Sequence, residues 1–127
     1  MRLLAGCVVL AAALPVAAAG DPARGEKVYE RCAACHSLAQ DRAGPRHCGL
    51  IGRRAGTVPG FDYSTAMRRS GIAWDARTLD RFIADPLRMV PGSSMGYDGV
   101  KDARERADLI AFLERAARSP ECAKPYN

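Results

Sequence analysis

The chain has 127 residues, with 19 Lys and Arg against 14 Asp and Glu and a formal net charge of +5. Its first nineteen residues hold one Arg and no acid, so they do not belong to the same folded unit as the rest; the other 108 residues carry 18 basic and 14 acidic side chains, a charge of +4. That is one small domain, and a multidomain enzyme is excluded.

The N-terminus reads Met1, Arg2, an apolar block from Leu3 to Ala19, then Gly20. Charge, apolar core and the closing Ala17-Ala18-Ala19 have the layout of a secretory signal peptide, with cleavage expected after Ala19. Two alternatives are less favoured. The block of 17 residues falls short of the ~20 that span a bilayer comfortably. Cys7 lies near the start of the apolar block, whereas a lipidated Cys follows it. Residues 20–127 are therefore expected to form one exported, soluble domain.

Asp21-Pro22 reads as a cap and first helical position, and Val28, Tyr29 and Cys32 share one face of a helix over roughly 22 to 35. From Ser37 to Gly60, repeated Gly and Pro break any period, so loops are expected. A short helical turn follows from Ser64 to Arg69, closed by Gly71. Asp75 caps a helix carrying Leu79, Phe82 and Ile83 that Pro86 stops, and Pro86 to Gly99 reads as loop. From about Asp102 to Arg118, Leu109, Ile110, Leu113 and Ala117 line one face of the clearest helix, which should pack on the first. No segment alternates well enough to predict a strand, so the class is all-α with long loops.

Only eight aromatic residues and few Ile or Val serve this domain, a thin core that calls for disulfides, a metal or a large bound group. Four Cys remain beyond the leader: Cys32, Cys35, Cys48 and Cys122. Cys32-Ala33-Ala34-Cys35-His36 matches the C-x-x-C-H pattern of covalent haem c attachment, in which two thiols bind the vinyl groups and the adjacent imidazole ligates iron. Two intervening residues put both sulfurs on one side of a porphyrin. A thioredoxin-like pair would want a βαβ context and a zinc site a second matched pair, and neither is present. For the sixth ligand the best donor is Met95, which a Gly- and Pro-bearing loop, Pro91-Gly92-Ser93-Ser94-Met95-Gly96, presents rather than an apolar stripe. Met67 and Met89 read as core or surface. His47, beside Cys48, reads as structural or exposed.

Taken in order, Gly25, Tyr29, the Cys32 to His36 motif, Gly44-Pro45, Gly49-Leu50-Ile51-Gly52-Arg53, Pro59-Gly60-Phe61, Tyr63, Trp74, the Met95 loop and Ala107 to Leu113 resemble the class I cytochromes c. The likeness is to the mitochondrial type and its short bacterial relatives and covers nearly all of residues 20–118. It implies a small all-α fold of three to five helices wrapped around one covalently bound haem c, with His36 and Met95 as axial iron ligands. It also implies that the Pro45 carbonyl holds the His36 imidazole, and that Arg53, Tyr63 and Trp74 surround the propionates. A guanidinium, a phenol and an indole N–H suit carboxylates removed from water. Ser93 is expected to hydrogen-bond near Met95.

Against the mitochondrial pattern, Phe82 replaces a Tyr and Met67 an Asn, which makes the Met side of the pocket less polar. The loop from His36 to Pro45 is shorter, and Leu87 replaces a surface Lys. Cys48 and Cys122 lie outside the family motif; in an oxidising compartment, and with the family fold bringing the loop after Pro45 near the end of the last helix, they are expected to pair.

A six-coordinate His–Met haem leaves no vacant site for substrate, so the resemblance implies a periplasmic one-electron carrier and not an enzyme. Its partners would be membrane or periplasmic redox proteins: a cytochrome complex, an oxidase, a reaction centre or a dehydrogenase, met as a monomer through a small interface. The mixed charges offer no basic stripe for nucleic acid. The alternatives are a haem protein with a labile Met ligand that binds small gases or peroxide, and a dedicated subunit of one dehydrogenase.

Overall fold

The computed structural model describes residues 19–124, so the expected signal peptide, apart from Ala19, lies outside the described residues. Five helices follow in order: α1 (Pro22–Tyr29), α2 (Thr65–Arg69), α3 (Ala76–Ala84), α4 (Pro86–Met89) and α5 (Ala103–Ala116). Among the described residues the only extended pairing is an isolated bridge between Arg54 and Ala73.

Short acidic and hydroxyl side chains start every helix, because each supplies an acceptor to N–H groups that have no partner within the helix. Asp21 accepts from Ala23 and Arg24, Ser64 from Met67, Asp75 from Thr78, Asp85 from Arg88 and Asp102 from Glu105. At α3 the bond is returned, with the Thr78 hydroxyl accepting from the Asp75 N–H at 2.9 Å.

Two expected boundaries differ. The first helix is regular only to Tyr29, and residues 30–36 continue as tight turns in which Cys32 N–H donates to Tyr29 O at 2.8 Å and His36 N–H to Cys32 O at 2.9 Å. Beyond Val28 and Tyr29 no large apolar residue extends the buried face, so packing stops enforcing a straight helix. The segment expected to be loop from Pro86 begins instead with α4, because Asp85 caps a new turn and Pro86 occupies its first position.

α1 lies across α5 in the main helix contact of the fold. Their backbones nearly touch at Gly25, where a Cβ would fall 1.9 Å from the Asp108 carbonyl oxygen. Tyr29 then packs on Phe112 with ring centroids 4.9 Å apart. Leu109, Val100, Leu79 and Val90 are almost fully buried in the same core, each large side chain contributing about 1.5–3 kcal/mol by leaving water. The long segments between α1 and α3 wrap around the other side of this core.

Candidate haem site

The turns after α1 present Cys32, partly buried, and Cys35, exposed, with neither in a disulfide. Burial pushes the Cys32 thiol up to about 11, so it is protonated at neutral pH. His36 is buried, and its Nδ1 lies 2.8 Å from the Pro45 carbonyl oxygen. A carbonyl only accepts, so Nδ1 carries the proton and Nε2 keeps the lone pair that a metal needs. Burial also lowers the His36 pKa, which keeps the ring neutral. Gly44 presses on this imidazole: a Cβ there would stand 2.3 Å from Cε1.

Arg53 donates to the carbonyls of Cys48 and Arg46 at 3.1 and 3.0 Å, which anchors the loop that carries Pro45. Trp74 N–H donates to Arg53 O at 2.9 Å and Gly52 N–H to Trp74 O at 2.7 Å, beside the Arg54–Ala73 bridge, which holds Arg53 and Trp74 together. Trp74 is buried against Phe82 at 4.9 Å between ring centroids. The Tyr63 hydroxyl accepts from Val58 N–H at 3.3 Å. In the following loop the Ser93 hydroxyl accepts from Met95 N–H at 3.2 Å and closes the turn that carries the Met95 side chain.

Cys32, Cys35, His36, Pro45, Arg53, Tyr63, Trp74, Ser93 and Met95 all line one cavity of ≈ 410 Å³. Met67 and Phe82 line it too, and both are buried, so they add apolar surface to its wall. Cys48 and Cys122 lie elsewhere, joined as a disulfide with Cα atoms 5.1 Å apart. Tyr29, Tyr97 and His47 are among the further residues that reach the cavity. Tyr97 stands two residues after Met95 in the same loop, a spacing that could have flagged it. His47 gave no such signal. It is partly buried, its Nδ1 lies 3.0 Å from the Tyr29 hydroxyl, and burial drives its pKa well below the usual value.

A haem c fits these residues. The cavity is large and mostly apolar, two unpaired thiols sit at its rim, a neutral imidazole and a thioether line it, and a guanidinium borders it. Zinc does not fit: among the described residues no group of three or more His, Cys, Asp or Glu is arranged to hold a metal ion.

The cytochrome c family model matches residues 22–117. The chain belongs to the cytochrome c family. It is 46% identical over 99 residues to cytochrome c2 of Rhodomicrobium vannielii, covering 76% of this chain and 79% of that protein. It is 43% identical over 117 residues to cytochrome c2 of Blastochloris viridis, covering 90% and 92%. Among solved structures it matches cytochrome cH from Methylobacterium extorquens with a TM-score of 0.74 and 38% identity, over 76% of this chain and 99% of that one. This is a class I cytochrome c with the small all-α fold, an electron carrier of a family whose members hold one covalently bound haem c. No helix among the described residues is long and apolar enough to cross a membrane.

Proposed function

We propose that this cytochrome is a periplasmic one-electron carrier, exported by residues 1–19, whose iron is held between His36 and Met95, and that it is not itself an enzyme. The observation that carries the reading is the His36–Pro45 hydrogen bond. It commits Nδ1 to the protein and leaves Nε2 for the metal in a cavity that Met95 also lines. When bound, the haem supplies a one-electron iron couple. The chain's own residues do the rest. Cys32 and Cys35 would hold the group covalently, Pro45 and Gly44 fix the imidazole, and Arg53, Tyr63 and Trp74 would receive its propionates. Met67, Phe82 and Trp74 keep water from the interior, and with His36 and Met95 both given to iron no position would remain for a substrate. Partners are larger redox proteins of the membrane or periplasm: a cytochrome complex, an oxidase, a reaction centre or a dehydrogenase, met transiently by a monomer.

Absorption spectra of the purified haem-loaded protein test the ligand set. A weak ferric band near ~700 nm, reporting iron–sulfur ligation, is expected and is lost in Met95→Ala. Rapid CO binding to the ferrous wild type, with no such band, would replace this reading by a gas- or peroxide-binding haem protein with a labile Met95.

A further inference from the structure

We propose that His47 is a positioning residue for the axial histidine: its ring stacks on the His36 imidazole and, held by Tyr29, lowers the reduction potential of the iron. The inference rests on His36 being the iron ligand, as proposed above. The two imidazoles face each other with centroids 4.2 Å apart and planes 23° from parallel. Pro45 fixes His36 by one in-plane bond, which leaves tilting of the ring toward or away from its face unopposed. Gly44 and His47 oppose it by direct contact.

His47 is itself held by its backbone and its ring. Its backbone N–H donates to Ser37 O at 3.0 Å, and the next N–H, of Cys48, donates to Leu38 O at 2.7 Å. Cys48 is also tied by its disulfide to Cys122. The Tyr29 hydroxyl bonds Nδ1, and Tyr29 is wedged in turn against Phe112 of α5. Rings therefore run in continuous contact from the α1–α5 pair through Tyr29 and His47 to the ligand. A side chain chosen only to fill this space could be aliphatic. An imidazole instead lays a polar, polarisable face against the ligand. That environment stabilises the more highly charged ferric state relative to an apolar one.

The test compares holoprotein of the wild type, His47→Leu and Tyr29→Phe, each equilibrated with the same redox mediator, with ferric electron paramagnetic resonance spectra recorded alongside. His47→Leu is expected to raise the ratio of ferrous to ferric protein at least threefold, about 28 mV at 59 mV per decade, and to change the ferric spectrum. Tyr29→Phe, which keeps both imidazoles but frees His47 to turn, shifts the ratio the same way by less. A change below threefold in His47→Leu, or a shift toward ferric, overturns the inference and leaves His47 a packing residue. Should His47→Leu fail to fold with haem, Tyr29→Phe decides: a shift toward ferrous supports the inference, and an unchanged ratio overturns it. A wild-type spectrum without His–Met character would instead sink the ligand assignment beneath it.

Discussion

Asp108 on α5 accepts a hydrogen bond from Arg24 Nε on α1 at 2.7 Å, and its other oxygen accepts from the Asp21 N–H at 2.6 Å. One buried carboxylate thus clasps the start of the first helix to the last, next to the close approach at Gly25. Its pKa is lowered, first by the Arg24 bond and then by the Asp21 N–H. A carboxylate with a depressed folded pKa contributes stability that is complete above its unfolded pKa, about 4, and is lost as pH falls through the folded value. Melting temperature should therefore hold steady from pH 7 to about 5 and decline below about 4. Asp108→Asn should melt lower at pH 7 and decline less steeply in acid. A parallel acid limb in the variant would assign the decline to other groups.

The Cys48–Cys122 disulfide closes a separation of 74 residues and ties the tail beyond α5 to the loop that carries Pro45 and His47. In the chain-entropy treatment such a closure stabilises by about 4 kcal/mol. Replacing both cysteines by Ala should lower the guanidinium midpoint accordingly with little change in slope. The native holoprotein, denatured without reductant, should show no titratable thiol.

Part of the cavity was legible because its chemistry is concentrated in contiguous residues, the Cys32 to His36 motif and the Met95 loop, while Pro45, Arg53, Tyr63 and Trp74 were indicated by the resemblance to the class I cytochromes c. The helix caps at Asp21 and Asp75 were legible because capping is a local property of short side chains. α4 was not, because Pro86 can either stop a helix or start one, and the choice depends on whether Asp85 turns back to cap it. The place of His47 was hidden as well. Its contacts with Tyr29 and His36 join residues 18 and 11 positions away, which only the folded loop brings together.

Gly44→Ala isolates how tightly the ligand loop grips the imidazole. The added methyl would stand 2.3 Å from His36 Cε1 and 2.6 Å from Nδ1, inside any tolerable contact. Either the ring or the loop must move, and the Pro45 bond stretches with them. The variant should load haem poorly, or load it with a weakened ~700 nm band and a lower melting temperature. A wild-type spectrum and melting temperature would mean that the loop yields freely.

Arg53→Met separates the structural and electrostatic parts played by one guanidinium. Two bonds from a charged donor to the carbonyls of Cys48 and Arg46 disappear, at a cost of about 2 kcal/mol in stability. The charge of Arg53 also acts on the pocket, since it helps to lower the pKa of both His36 and His47. A cation beside the pocket favours the less positive ferrous iron, so its removal should lower the reduction potential, in the direction opposite to His47→Leu. Arg53→Lys should recover part of the potential but little of the stability, because a single ammonium cannot span both carbonyls. Potentiometry and denaturant titration of the same three holoproteins check both parts. A potential unmoved by Arg53→Met would place the guanidinium's influence in the loop alone.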